Sequence, residues 1–317
     1  MTDGGSMFNV KQSSQESQGG DKSDAPPICD YEGSDYRTAF WEGQGREYED
    51  LAERHALRRL LPPTGGRILD IGAGFGRLAN LYGGYEHVIL LDYSVSQLQY
   101  ARSRMGDEGY TYLAADLYRL PLATNAVDTT VMVRVLHHLV EVPRAFSQIA
   151  RVTTGGGTFL LEFANKRHLL NIIRRGLGSK VNPFDPKPYE FADLHFDFHP
   201  KWVRRQLEEA GFAPERQRAV SMFRVAALKR LIPAPALARA DAALQAALAP
   251  AAITPSQFVR SHVAKPATRL SEQILACPEC GHQPLERQDG HVGCPACKLT
   301  WRIDGGVYVF KEPVSDR

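Results

Sequence analysis

No run of apolar residues in this chain approaches the roughly 18 that a membrane-spanning helix needs, so no spanning segment is expected. The opening residues MTDGGSMFNV lack the basic and apolar pattern of a secretory leader. Cysteine is scarce, five in 317 residues, and four of the five lie between Cys277 and Cys297. That clustering excludes a disulfide scaffold and argues for metal. Together these absences imply a cytoplasmic protein. Charge of one sign is also wanting, with a net of +2, but the balance is uneven along the chain. Residues 1–165 carry 15 Lys/Arg against 21 Asp/Glu, residues 166–275 carry 18 against 9, and residues 276–317 carry 5 against 6. A basic middle can face nucleic acid, an anionic membrane or an acidic small substrate; a solvated arginine-rich surface would have the same composition.

What is present divides into three stretches. Residues 1–27 read as a disordered tail, rich in Gly, Ser, Gln and Asp and closed by Pro26-Pro27. Tyr31, Tyr36, Phe40, Trp41 and Tyr48 then follow closely, too aromatic a segment for a linker. Leu51, Leu57, Leu60 and Leu61 predict a helix over 47–61, stopped by Pro62-Pro63. Apolar strands at about 67–71, 88–91, 112–115, 128–133 and 158–163 alternate with helices at about 76–82, 94–104 and 142–153. This predicts a parallel α/β sheet covered on both faces. The pattern loosens after Asn165. A short basic helix over 169–177 leads into a proline-bounded aromatic loop at 178–199, a helix at 200–210 and a strand at 216–225. An Ala/Leu-rich helical segment at 235–248 and a strand at 257–263 follow. Pro266 marks a boundary, and residues 275–313 read as a compact module of their own.

Chemistry concentrates at strand ends. In Ile68-Leu69-Asp70-Ile71-Gly72-Ala73-Gly74-Phe75-Gly76-Arg77 a strand runs into a glycine-rich turn. Glycines permit the tight turn and the close approach of backbone N–H groups to a ligand, and a following helix offers its positive end to an anion. Asp92 ends the second strand, where a carboxylate can accept from ribose hydroxyls, and Asp116 ends the third, within reach of an adenine amino group. An aspartate at a strand end can equally be a simple cap.

The set resembles the class I S-adenosylmethionine-dependent methyltransferases. The likeness rests on ILDIGAGFGRLA at 68–79, VILLDYS at 88–94, AADLYRLPLATNAVD at 114–128, VRVLHHL at 133–139 and GGGTFLLEF at 155–163. It implies a Rossmann-like sheet spanning 28–265, with substrate-specific inserts at about 165–200 and 226–255. It further implies S-adenosyl-L-methionine as cofactor. Asp70, Gly72, Gly74 and Gly76 would surround its methionine part and Asp92 its ribose. Tyr93, Asp116 and Leu117 would hold its adenine, and Arg134 would line the cleft with the residues that follow. His137 and His138 sit where a general base would stand, at most one of them facing the cleft. The Asn/Asp-Pro-Pro-Tyr/Phe run that marks amino-group methylation in this family is missing; Val133-Arg134-Val135-Leu136 occupies its place. The implied function is methyl transfer to a small-molecule acceptor. A tRNA or rRNA methyltransferase and a catalytically inactive zinc-ribbon scaffold are the alternatives. Leu169, Leu170, Ile172 and Ile173 beside Arg174 and Arg175 also allow peripheral contact with a membrane.

Cys277-Pro278-Glu279-Cys280 and Cys294-Pro295-Ala296-Cys297 form two C-x-x-C knuckles, the spacing of a tetrahedral structural zinc site with no open position for substrate. Residues 275–310 resemble the zinc-ribbon half of the small protein that activates several RNA and protein methyltransferases, which implies a supporting role beside the catalytic domain.

Overall fold

A computed structural model of the chain describes residues 26–30, 32–33 and 45–314. Apart from Pro26 and Pro27, the expected tail lies outside the described residues, as do Tyr31, Tyr36, Phe40 and Trp41. Helix α1 (Glu47–Leu60) comes first; Tyr48, Ala52, Ala56 and Leu60 recur every fourth residue on its buried side. The α/β alternation follows as β1 (Gly65–Ile71), β2 (Tyr85–Asp92), α2 (Val95–Met105), β3 (Tyr110–Ala114), β4 (Val127–Met132), α3 (Val142–Val152) and β5 (Thr153–Ala164). Then come α4 (Leu169–Gly176), β6 (Tyr189–Ala192), β7 (His195–Asp197), α5 (Pro200–Glu209), β8 (Phe212–Val220), α6 (Ala226–Leu231), α7 (Ala234–Leu244) and β9 (Ser256–Val263). Four short strands close the chain: β10 (Glu286–Gln288), β11 (His291–Gly293), β12 (Thr300–Asp304) and β13 (Val307–Val309).

Eleven strands form one sheet in the order β10-β11-β12-β13-β3-β2-β1-β4-β5-β9-β8. Strands β3, β2, β1, β4 and β5 are parallel, while β9 pairs antiparallel with both β5 and β8 at one side. Neighbouring residues on β1 face opposite layers, so Ile68 enters one core and Leu69 and Ile71 the other. The second layer is filled by Phe146, Phe159 and Phe212, whose rings pack with centroids 5.0 to 6.4 Å apart. Burial of each such ring contributes about 1.5–3 kcal/mol. Strand order reverses between β1 and β4, which opens a crevice beyond their carboxyl ends. Among the described residues no helix is long and apolar enough to cross a membrane.

Several local expectations need correction. The helix expected over 76–82 is a run of turns ending in one 3-10 turn, Ala79–Leu81. Only residues 77–82 separate Gly76 from Gly83-Gly84, and Gly84 must pass so close to Pro63 that a Cβ would lie 2.0 Å from its carbonyl oxygen. The chain therefore turns into β2 before a helix can form. Gly155–Gly157 lie inside β5, where the pairing with β4 slips, rather than ahead of it. The strand expected over 216–225 runs from Phe212 to Val220, because Phe212 is buried as soon as Gly211 ends the helix. Within the loop at 178–199, β6 and β7 form a hairpin. The C-terminal residues add four short strands to the edge of the main sheet. Tyr308 and Val309 pair in parallel with Leu113 and Ala114, and Phe310 N–H donates to the Ala114 carbonyl at 2.7 Å.

Candidate cofactor cleft and metal centre

Strand β1 delivers Asp70, only 3% exposed, to the start of the glycine turn. Gly72, Gly74 and Gly76 have φ of +71°, +51° and +74°, backbone that side chains resist. At Gly72 space is also lacking: a Cβ would lie 2.1 Å from Val135 Cγ2. The Leu91 carbonyl on β2 accepts from Gly72 and Ala73 N–H at 2.8 and 3.0 Å, tying the turn to the neighbouring strand. Asp92 completes the tie: Oδ2 accepts from Gly74 N–H at 2.7 Å and Oδ1 from Ser94 N–H at 2.9 Å. Asp116 Oδ1 accepts from Tyr118 N–H at 2.8 Å, so it caps the short turn Leu117–Arg119 while sitting at the cleft. Burial pushes Asp70 up to about 7, with the Tyr82 hydroxyl and Arg77 pulling the other way. Asp92 is raised by burial as well, opposed by its two backbone donors.

Beyond these strand ends lies a cleft partly open to solvent. Gly72, Gly74, Asp92, Tyr93, Asp116, Leu117, Arg134 and His138 line it, and Ile28 and Cys29 border it from the segment before α1. Asp70 and Arg77 border an adjoining hollow, which shares Gly72, Gly74 and Arg134 with the first. Gly76 is turned away, packed where a Cβ would meet Met105 Cε at 2.4 Å. From the C-terminal module Lys311 Nζ lies 3.9 Å from the centre of the Tyr93 ring and 3.5 Å from Asp30 Oδ2.

Arg134 is held in a left-handed conformation, φ +60°. Its N–H donates to Glu162 Oε2 at 2.9 Å, and its guanidinium pairs with Glu53 of α1, Nε donating to Oε1 at 2.8 Å. Arg77 reaches the other oxygen of Glu53 at 2.9 Å. Burial alone would raise the Glu53 carboxyl, but the two guanidiniums outweigh it and hold it below its ordinary value. A fully buried carboxylate thus fixes two cations beside the glycine turn, and breaking such a pair costs several kcal/mol. Nothing near Glu53 in sequence signals this, since its partners are 24 and 81 residues away.

Past β4, His137 and His138 occupy a single 3-10 turn, Leu136–His138. His138 lines the cleft; His137 is not among its lining residues. The β6–β7 hairpin adds His195, whose ring centre is 4.8 Å from that of His138 and 6.2 Å from that of His137. His138 Nδ1 lies 3.2 Å from the Leu194 carbonyl. A carbonyl only accepts, so Nδ1 carries the proton and the ring's lone pair is on Nε2. Burial, reinforced by His195, pushes His138 down to about 4. Burial also takes His137 well below its usual range, with His138 and Arg134 adding to the effect. Both rings are therefore neutral at pH 7.

At the far end of the sheet the Sγ atoms of Cys277, Cys280, Cys294 and Cys297 all lie within 4.8 Å of one another. Cys277–Cys297 and Cys280–Cys294 separations are 3.6 and 3.5 Å. Four ligands at about 2.3 Å from a tetrahedral zinc would be about 3.8 Å apart, so the set fits. The two knuckles repeat one geometry. Cys277 N–H donates to the His282 carbonyl and Gly281 N–H to that of Cys277; Cys294 with Leu299 and Lys298 with Cys294 do the same. Gly281 and Lys298 take matching φ of +73° and +64°. Four sulfurs complete the coordination shell, so the site suits a structural zinc.

Residues 69–161 match the methyltransferase domain family. Over 192 residues the chain is 27% identical to a demethylmenaquinone methyltransferase from Clavibacter sepedonicus, covering 56% of this chain and 78% of that protein. A ubiquinone/menaquinone biosynthesis C-methyltransferase, UbiE, from Vibrio cholerae is 33% identical over 169 residues. That match covers 47% of this chain and 64% of the relative, less than two thirds of its length. A chain from the complex of the Haloferax volcanii Trm112 methyltransferase activator with a candidate methyltransferase superposes with a TM-score of 0.50 at 18% identity. It covers 71% of this chain and 96% of its own, a likeness of fold. Sequence match, strand order and cleft agree: residues 69–161 form a methyltransferase domain within a larger α/β sheet, and a four-cysteine module lies on the edge of that sheet.

Proposed function

We propose that this protein transfers a methyl group from S-adenosylmethionine to an apolar small-molecule acceptor. The observation that carries the reading is the convergence of Asp92, Asp116, the glycine turn and His138 on one cleft. Bound there, the cofactor supplies an electrophilic methyl group on a sulfonium sulfur. Asp92 would accept from the ribose hydroxyls. Tyr93 and Leu117 would enclose the adenine, whose amino group Asp116 would receive. Asp70 and Arg134 would meet the charged ends of the methionine part beside Gly72 and Gly74. Alignment in a cleft that excludes water then provides much of the rate.

An acidic carbon or hydroxyl acceptor must also lose a proton. Neutral His138, with its lone pair on Nε2, is the group placed to accept it; its low proton affinity suits an acceptor that is itself acidic. The named relatives are a demethylmenaquinone methyltransferase and a ubiquinone/menaquinone biosynthesis C-methyltransferase, and this supports a small-molecule acceptor. The basic stretch 166–275 and the four-cysteine module favour a second reading, methylation of tRNA or rRNA. Methyl label transferred from labelled cofactor into a fractionated cell extract separates the readings. Label in low-mass lipid-soluble material supports the first and label in RNA the second. Cofactor binding without transfer to any fraction would leave a scaffold.

A further inference from the structure

Among the described residues thirteen large apolar side chains are exposed, and ten of them fall between Leu169 and Ile232. They crowd onto the inserts after β5 and β8. Leu169, Leu170 and Ile173 on α4 and Leu177 just past its end recur along one side at helical spacing, each at least 45% exposed, and the helix buries none of its residues. Helix α6 buries none either; Val225 precedes it, and Leu231 and Ile232 end it with Leu231 at 81% exposure. Large apolar surface left in water on two separate helices marks a surface that is covered in use.

The two inserts are fastened to each other. Leu169 N–H donates to the Ile253 carbonyl at 2.8 Å, and Arg167 reaches the Ala251 carbonyl at 2.8 Å. Asn165 Nδ2 donates to the carbonyls of Ala252 and Thr254, both at 2.8 Å. Charge selects the occupant. Residues 166–180 contain five Lys/Arg and no acid, and residues 221–240 contain four and no acid, whereas the hairpin between them carries Glu190, Asp193 and Asp197 and no Lys/Arg. Lys166 is buried and Lys229 pairs with Glu49, but Arg174, Arg175 and Arg230 are exposed beside the apolar side chains. Leucine and isoleucine rimmed by arginine match a bilayer whose surface is anionic and whose interior is hydrocarbon. The surface also reaches the cleft. Exposed Phe191 lies 5.9 Å, ring to ring, from His195, which packs on His138 at the cleft wall.

We propose that α4 and α6 dock this protein on an anionic lipid bilayer, the acidic hairpin standing off its surface, so that a lipid-dissolved acceptor enters the cleft past Phe191. The docking stands on the surface alone; only the acceptor's route rests on the small-molecule reading. The test is sedimentation of the full chain with vesicles of phosphatidylcholine alone or mixed with phosphatidylglycerol, beside calorimetry with S-adenosylhomocysteine. The protein should pellet with the mixed vesicles and be released by salt. Ile173→Glu combined with Leu231→Glu should abolish pelleting. Arg174→Gln combined with Arg175→Gln should weaken it by about fivefold per charge. Each variant should keep its circular dichroism and its affinity for S-adenosylhomocysteine. A full chain that stays in the supernatant with every vesicle overturns the proposal, as does pelleting that neither pair of substitutions reduces. Capture of RNA in place of vesicles overturns it as well. Absence of S-adenosylhomocysteine binding would instead defeat the methyltransferase reading and leave the vesicle result standing.

Discussion

Asp92→Ala distinguishes two roles of one carboxylate. Its oxygens accept from Gly74 and Ser94 N–H groups, and its burial raises the cost of its charge. Removing it loses two charge-assisted hydrogen bonds of about 1.5–3 kcal/mol each but relieves a buried charge of similar cost, so unfolding free energy should change by no more than about 1 kcal/mol. Cofactor binding should respond more strongly. Each oxygen keeps a lone pair for a ribose hydroxyl, and a hydrogen bond to a charged group contributes about 1.5–3 kcal/mol. Water replaces part of that loss in the variant. The expected penalty is about 2–4 kcal/mol, or roughly 30- to 700-fold in Kd. Calorimetry with S-adenosylhomocysteine measures the penalty, and denaturant unfolding of the same samples measures the other quantity. A change in Kd below about threefold would falsify the ribose assignment. A variant that binds normally once refolded but loses several kcal/mol of stability would show Asp92 to be structural.

Other expectations are shorter to state. Because Asp70 is raised to about 7 from 3.8, the folded chain holds that proton more tightly than the unfolded one, and this group's contribution to stability falls as pH rises from about 4 to about 7. If Asp70 meets the cofactor's ammonium it must ionise, so affinity for S-adenosylhomocysteine should weaken as pH falls below 7 and its binding heat should depend on the buffer. Affinity unchanged between pH 6 and pH 8 would remove Asp70 from that contact. Gly72→Ala combines a positive φ with a Cβ 2.1 Å from Val135, and should cost about 2–4 kcal/mol in unfolding measurements. A loss within experimental error would mean that the turn is softer than its geometry implies. Elemental analysis should find about one zinc per chain. Its chelation should weaken S-adenosylhomocysteine binding, because Lys311 reaches Tyr93 only through the module's pairing with β3. Metal-free protein with full affinity would refute that coupling.

Legibility in the sequence followed the range of the interaction. The strand, glycine turn and Asp92 are written within a few neighbouring residues, because apolar runs, positive φ and strand-end carboxylates are local properties. The same holds for the four cysteines, whose spacing alone reflects coordination geometry. Arg134 was expected at the cleft, but its partner Glu53 was not, since the pairing depends on where α1 packs. The β6–β7 hairpin was missed because its seven residues are largely exposed and bury no alternating face. His195 was missed with it.

What sequence alone determined about this protein is the parallel α/β sheet, the class of cofactor and the four cysteines placed to hold a metal. Each rests on periodicity, turn chemistry or ligand spacing that short segments carry by themselves. Tertiary structure decided the rest. It turned the expected helix after Gly76 into a brief turn, because Gly84 had to pass against Pro63. It joined β13 to β3, since a three-residue strand has backbone groups to pair but no side-chain pattern that names its partner. It also set Phe191 and His195 beside His138, and fastened two basic apolar inserts into one surface. Hydrogen bonds and packing between residues far apart in the chain did this, and such contacts exist only once the chain has folded.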